Sequence, residues 1–141
     1  NTWRTLSNDE WNYLRNTRPN ASSLKGVAQV NGVNGLILLP DNWVCPEGIT
    51  FKSGFYGVYA AYQTFTADQW AELEAAGAIF LPASGVRFGL HVVLVQLEGQ
   101  YWSATEFNGN DVFFFIIRSF EANMYSTTRT FGRSVRLVKD L

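Results

Sequence analysis

The chain has 141 residues, of which 47% are hydrophobic and 16% are charged, and its formal net charge is −1. This length and composition predict one folded domain over residues 1–141 and exclude an intrinsically disordered chain. A net charge near zero gives no broad attraction to nucleic acid or to an anionic membrane, so we expect neither as a partner. No apolar run approaches the roughly 20 residues that a membrane-spanning helix needs.

Cysteine and histidine usage offers little for metal or redox chemistry. Cys45 and His91 are the only residues of their types, so the sequence provides neither an internal disulfide nor a pair of such metal ligands. We interpret Cys45 as a small buried hydrophobe and His91 as a structural or exposed side chain. We therefore predict no catalytic residues, no metal and no cofactor. The abrupt start at Asn1 leads us to expect the C-terminal part of a longer protein.

Two segments of similar sequence each predict a helix. Ser7 and Glu10 form the pattern of a capping box, in which the cap side chain and the residue three positions later satisfy each other's backbone N–H groups. Thr66 and Gln69 repeat the pattern. A tryptophan and a leucine follow at the same offsets in both copies, which predicts one buried side for each helix.

Short apolar runs between glycine and proline follow each predicted helix, at 35–40 and 77–82. Such runs predict buried strands, and we expect the two helix-to-strand units to support one sheet. The region between the units, 41–63, is rich in aromatic residues and glycine and predicts a long loop. Further along, we interpret 91–97 as a strand and 98–100 as a turn. The sequence thus predicts an α+β domain.

The segment 101–138 has the strongest composition signal, because it contains nine aromatic residues and no lysine. Aromatic residues and arginine without lysine are typical of the centres of interfaces. Neighbouring side chains of a strand point to opposite faces. The longest apolar run of this segment, 112–117, is nevertheless apolar on both faces. We interpret Phe113, Phe115 and Ile117 as core, and we expect Val135 to lie in a strand that helps to hold the backbone of this segment. For Phe114 and Ile116, burial under a loop and display to a ligand both stay open.

Five motifs in this order are similar to those of a known family. The motifs are WRTL at 3–6 leading to DEW at 9–11, GLILLP at 35–40, AAGAIFLPA at 75–83, YWSAT at 101–105 and SVRLV at 134–138. They resemble the repeated domains of Bacteroidetes surface proteins, often called the major paralogous domain. The resemblance covers nearly the whole chain and implies a C-type-lectin-like fold. In that fold two helices flank small antiparallel sheets with long loops, the termini lie together, and the late strands and loops form the binding face.

A narrower resemblance is to the variable proteins of diversity-generating retroelements of bacteria and their phages. In these proteins, mutation of adenines in the C-terminal coding region varies alternating positions of a strand and the loop after it. Applied to this sequence, the resemblance implies that the strand containing Phe114 presents alternating side chains to a ligand. The candidate ligand-binding residues are Phe107, Phe114, Ile116, Arg118, Tyr125, Ser126, Thr127, Thr128, Thr130, Phe131 and Arg133.

These resemblances imply a non-enzymatic domain that presents a hypervariable C-terminal surface to a protein or glycan. Its location would be the cell surface, the extracellular space or a phage virion. The alternative is a constant structural or adhesin module of a bacterial surface protein. A relative of the formylglycine-generating enzymes, which share the fold, would need more cysteines than Cys45. The motifs of calcium-dependent sugar-binding lectins do not occur, so no metal is expected, and the ligand and the oligomeric state stay open.

Overall fold

The computed structural model describes residues 2–141, and this range contains three α-helices and eleven β-strands in four small sheets. The helices are α1 (Asn8–Asn12), α2 (Tyr59–Tyr62) and α3 (Ala67–Ala75). The strands are β1 (Trp3–Thr5), β2 (Lys25–Val30), β3 (Val33–Leu38), β4 (Thr64–Phe65), β5 (Ile79–Pro82), β6 (Val86–Phe88), β7 (His91–Val93), β8 (Glu98–Glu106), β9 (Asp111–Arg118), β10 (Glu121–Thr128) and β11 (Leu137–Lys139). The chain is therefore a mixed α and β structure, as the sequence predicts.

Both predicted capping boxes are present. The Ser7 hydroxyl accepts a hydrogen bond from the backbone N–H of Glu10 at 3.2 Å, and the Glu10 carboxylate accepts from the N–H of Ser7 at 2.8 Å. Thr66 and Gln69 make the same two bonds at the start of α3, at 3.2 and 2.9 Å. The prediction of helices beginning after Ser7 and Thr66 is confirmed.

The predicted strands at 35–40 and 77–82 form the centre and one edge of a four-stranded sheet. Its order is β4-β2-β3-β5, with β3 antiparallel to both neighbours. The two strands pair with each other, so that Leu36 lies opposite Leu81. They are thus confirmed as strands, and as expected they pack under one sheet, since Leu36 and Leu81 share a core with Phe115. Short strands satisfy their backbone groups most directly by pairing with each other.

Strand β3 is buried on both faces because it separates two cores. On one face Leu36 joins Trp11 of α1 and Phe115 of β9, whose rings stack with centroids 4.7 Å apart. On the other face Ile37 packs in a cluster with Leu73 of α3. The fold is therefore layered, with α3, the four-stranded sheet, and then a core shared with α1 and the late strands.

The late strands form a second, three-stranded antiparallel sheet in the order β10-β9-β8. Its inner face packs on the shared core through Tyr101, Phe115 and Ile117, all of them buried. Residues 98–100 belong to β8, so the prediction of a turn there is wrong. The glycine at this position is used for close packing, since a Cβ on Gly99 would lie 2.7 Å from the carbonyl oxygen of Pro82.

The predicted strand at 91–97 is only partly formed. Strand β7 ends at Val93, and Leu94 and Gln96 adopt positive φ angles of 62° and 67° that break the extended chain. The turn is held in place because Gln96 accepts a hydrogen bond from the N–H of Asn34 at 2.7 Å and the Tyr59 hydroxyl donates to the carbonyl oxygen of Leu97 at 2.8 Å. Tertiary contacts therefore override the local β preference.

The two ends of the described chain pair with each other. Strands β1 and β11 are antiparallel, and Arg4 forms an ion pair with Asp140 at 2.9 Å. This agrees with the expectation that the termini lie together. Among the described helices, none has the length and apolar composition to cross a membrane.

Two expectations about single residues are wrong. Cys45 is exposed, with its thiol donating to the carbonyl oxygen of Ile49 at 3.2 Å, because the loop that carries it runs over the surface. Val135 does not lie in a strand, contrary to expectation, and it is exposed. It follows Ser134, whose backbone joins the edge of β8 at Tyr101, and its own side chain lies outside the core.

Candidate ligand-binding cleft

The outer face of the late sheet was the predicted display face, but two of its central side chains are buried. Phe114 is 6% exposed and Ile116 is 2% exposed. The prediction that these two residues are displayed to a ligand is therefore wrong. Their apolar character reflects a second buried face of β9, as in strands that are covered on both sides.

Cross-strand neighbours and the chain after β10 cover this face. Ile116 lies between Gln100 of β8 and Asn123 of β10. Phe114 lies between Trp102 and Tyr125 in the same ladder, with the Tyr125 ring centroid 6.2 Å away.

A short segment after β10 is inserted between the hairpin β6–β7 and the late sheet. The backbone of Gly132 exchanges two hydrogen bonds with Arg87 of β6, at 2.8 and 2.9 Å. Two residues later, Ser134 donates to the carbonyl oxygen of Gln100 at 2.9 Å and accepts from the N–H of Trp102 at 3.0 Å. The hairpin is therefore spread away from β8, and an open cleft lies beside the insertion.

Glycine is required at two points of this arrangement. Gly85, where the hairpin leaves the sheet, has φ +75°, and a Cβ there would lie 2.2 Å from the carbonyl oxygen of Val93. A Cβ on Gly132 would lie 2.9 Å from the Cβ of Arg87. These close approaches fix the spacing of the hairpin, the inserted segment and the sheet.

The cleft has a volume of about 540 Å³, within the range of small-molecule and side-chain binding sites. Its two walls come from different parts of the chain and are mostly apolar. The hairpin wall consists of Val86, Phe88, His91, Val93 and Leu94, and the opposite wall consists of Gln100, Thr127, Phe131 and Arg133. Phe88 is 59% exposed and stacks with Phe131, the ring centroids being 5.2 Å apart.

Arg133 supplies the cationic group of the cleft. Its guanidinium carbon lies 3.9 Å from the ring centroid of Phe114, 4.5 Å from that of Trp102 and 4.9 Å from that of Phe131. Its Nε donates to Gln100 Oε1 at 2.8 Å, and its Nη1 is buried with no hydrogen-bond partner in the described part of the chain. Burial lowers the pKa of the Arg133 guanidinium to about 10, a value at which the group still carries its charge at neutral pH.

Arg118, another predicted ligand residue, is instead held by carboxylates. Its Nε donates to Glu98 at 2.9 Å and its Nη1 donates to Glu121, directly across the sheet. The two carboxylates raise the pKa of Arg118 against the opposing effect of its burial. Arg118 therefore acts within the sheet, where it neutralises the buried Glu98.

The remaining predicted residues are spread over two faces. The expected loop from Tyr125 begins as the last half of β10, so Ser126 and Thr128 lie on the face opposite to that of Tyr125 and Thr127. Thr130 follows the strand, and its hydroxyl shares a hydrogen bond with that of Thr128 at 2.8 Å.

The candidate residue Phe107 lies between β8 and β9, away from the cleft walls. Its exposed ring packs edge-on against Phe113, with the ring centroids 5.4 Å apart. Of the eleven predicted residues, Thr127, Phe131 and Arg133 line the cleft.

Sequence reasoning missed the hairpin wall. His91 is exposed, in agreement with one of the two options for it, but its place beside Phe88 in the cleft was not predicted. A signal existed in Gly85 and Gly89, which bracket β6 and mark it as part of a hairpin. Over residues 2–141, no group of three or more histidine, cysteine, aspartate or glutamate side chains is arranged to hold a metal ion.

Comparison with known proteins gives no significant match: no family model, no curated protein and no solved structure is similar to the chain.

Proposed function

We propose that this domain binds a ligand without catalysing a reaction, and that the ligand occupies the cleft between the β6–β7 hairpin and the late sheet. The observation that carries the proposal is the stacking of the exposed Phe88 ring on the half-buried Phe131 ring at an apolar cleft. Apolar clefts with a few polar groups are the usual form of binding sites. Exposed aromatic rings supply contact area at little cost in conformational entropy.

Hydrogen bonds to the rest of the domain hold both cleft walls in place, which favours recognition by a preformed surface. Gln96 binds both the N–H and the side-chain amide of Asn34, at 2.7 and 3.0 Å, just after the hairpin wall. The opposite wall is fixed by the backbone bonds of Gly132 and Ser134. A preformed site avoids the entropy loss of ordering its walls when the ligand binds.

The ligand that fits this surface best is a protein. Besides Phe88, the hairpin carries Leu90, which is 94% exposed, and the exposed side chain of Val92, and Val95 in the turn after the hairpin is also exposed. An exposed apolar surface of this kind is typical of interaction sites for proteins. A glycan would instead require a dense set of hydrogen-bonding groups, whereas the cleft offers Gln100, Thr127 and few others.

A C-type-lectin-like fold at a cell or virion surface, with a diversified C-terminal segment, is part of the proposal. The pairing of β1 with β11 and the order of the late strands support it. Thr127, Phe131 and Arg133, which lie at positions that the retroelement pattern would vary, line the cleft. Variation there would change the ligand contacts without changing the strands.

A constant structural module is the second candidate, and the burial of Phe114 and Ile116 favours it. Strand β9 would then be constant because both of its faces pack. The two functions differ in what they require of the cleft, since only a binding domain needs the exposed Phe88 ring stacked on Phe131.

A binding screen read out by NMR separates the two candidates. The ¹⁵N-labelled chain is mixed with a panel of short peptides and oligosaccharides, and the backbone amide signals are followed. The proposal predicts that binders shift the amide signals of Phe88, Thr127 and Phe131. It also predicts that Phe131→Ser lowers the affinity for these binders. If no member of the panel shifts these amides, the cleft is not a binding site and the structural module is favoured.

A further inference from the structure

The Arg133 guanidinium has hydrogen-bonding capacity that the chain does not use. A guanidinium has five N–H donors, which lie in its plane, while its flat faces are apolar enough to stack on rings. Here Phe114, Trp102 and Phe131 lie against the guanidinium, and Gln100 accepts from Nε. Among residues 2–141, neither Nη1 nor Nη2 finds an acceptor.

The charge of Arg133 is also uncompensated. The cleft walls contain no carboxylate, and no ion pair within the described range includes Arg133. Burying a cation without an anion is costly, and the stacking on three rings offsets part of that cost. Arg118 on the same face is the contrast, because Glu98 and Glu121 both bind it.

We propose that Arg133 binds the terminal carboxylate of a partner polypeptide, whose last side chain is apolar and fills the cleft. A carboxylate makes charge-assisted hydrogen bonds with a guanidinium. Here Nη2 is the group left for it, because Nη1 is buried and Nε donates to Gln100. A C-terminal residue with an apolar side chain carries both the carboxylate and the apolar group, because both are attached to the same Cα. The proposal rests on the function proposed above and specifies the ligand of that cleft.

The surroundings of the cleft favour a polypeptide end over a small free acid. The exposed Leu90 and Val92 adjoin the hairpin wall, and a small acid inside the cleft would leave them in water. A peptide that enters with its last residue continues outward over this surface. Thr127 offers a side-chain hydroxyl in the same cleft for its backbone.

The test compares three probes that differ in one feature each. N-acetyl-Gly-Gly-Phe has a free carboxylate, its C-terminal amide has the same shape without the charge, and 3-phenylpropionate is a free acid without a peptide chain. Titrations of the ¹⁵N-labelled chain are expected to show the peptide acid binding about tenfold more tightly than the amide, the value of one charge-assisted hydrogen bond. The shifts should centre on Phe88, Thr127 and Phe131.

Variants connect that preference to Arg133. Arg133→Met keeps an unbranched side chain between the rings and is expected to abolish the acid-over-amide preference. Arg136→Met is the matched control, because Arg136 is exposed and lies outside the cleft, and it should keep the preference. Dispersed amide signals for both variants establish that each is folded. Arg133→Lys, which keeps the charge but loses the planar donors, should retain part of the preference.

Three results overturn the inference, and they are distinguishable from failure of the proposed function. If the peptide acid and the peptide amide bind the cleft with equal affinity, the carboxylate is not recognised, although the cleft still binds a ligand. If Arg133→Met keeps the full preference for the acid over the amide, another residue binds the carboxylate. Binding of 3-phenylpropionate as tight as that of the peptide assigns the cleft to small free acids. If no probe and no member of the wider panel shifts the cleft amides, the proposed function fails as well.

Discussion

The guanidinium of Arg133 lies 3.9 Å from the ring centroid of Phe114, so a residue of the last segment covers a strand that the sequence marked for display. The apolar strand β9 is thereby buried on its outer face as well as its inner face. Recognition would then fall to residues that cover or flank the strand, among them Phe131 and Phe88. The candidate surface is a layer above β9 rather than β9 itself.

Burial of the outer face of β9 predicts a large loss of stability on polar substitution. Phe114→Ser or Ile116→Ser should lower the free energy of unfolding by about 3–5 kcal/mol, because each removes packed apolar atoms and buries a hydroxyl. Tyr125→Ser, on the same ladder but exposed, should cost about 1 kcal/mol or less. Urea unfolding measures all three. Equal stabilities of Phe114→Ser and Tyr125→Ser would show that the outer face is not packed.

The ion pair of Arg118 and Glu98 predicts a second, distinct stability effect. Glu98 is 6% exposed, so Arg118→Met should destabilise the fold by about 3–5 kcal/mol by leaving a buried carboxylate unpaired. Adding Glu98→Gln should restore much of that loss, since the double variant has no charge to bury. A double variant no more stable than Arg118→Met in urea unfolding would contradict this role of Arg118.

The contact between Arg4 and Glu10 predicts acid sensitivity near the paired termini. Hydrogen bonds from Arg4 and from the backbone of Ser7 lower the pKa of Glu10 to about 2, from an ordinary value of 4.5. Because the folded-state pKa is depressed, the stabilisation is fully present above pH 4.5 and is lost as the pH falls through 2. Both partners are more than a third exposed, so we expect about 1 kcal/mol or less.

Thermal unfolding of the wild type and of Glu10→Gln between neutral pH and pH 2 measures this effect. The difference in Tm between the two proteins should be constant above pH 4.5 and should close toward pH 2. Glu72→Gln, an exposed carboxylate on α3, is the control and should show no such trend. A Tm difference that persists unchanged at pH 2 would show that the charge of Glu10 does not account for its stabilising role.

Local sequence rules predicted the parts of the fold that depend on neighbours in the chain. The caps at Ser7 and Thr66 form as expected because a capping box needs only four consecutive residues. The strands at 35–40 and 77–82 also form as expected. Their mutual pairing was not predicted, since pairing depends on contacts between residues far apart in the chain.

The site was predicted only in part for the same reason. Residues 125–133 were selected by composition and resemblance, and three candidates do line the cleft. The insertion of Gly132 beside Arg87, which creates the cleft and brings the hairpin wall to it, depends on tertiary backbone pairing. No local pattern distinguishes Phe114, covered by Arg133, from a ring exposed to solvent.

The affinity of one cleft ligand for two matched variants tests the central claim most directly. Phe88 lines the cleft and is 59% exposed, whereas Phe120 lies outside it at the turn between β9 and β10 and is 63% exposed. For a ligand found in the NMR screen, Phe88→Ser should weaken binding by about tenfold or more, and Phe120→Ser should leave it unchanged. Unchanged binding to Phe88→Ser, or an equal loss in both variants, would contradict a ligand-binding cleft at this hairpin.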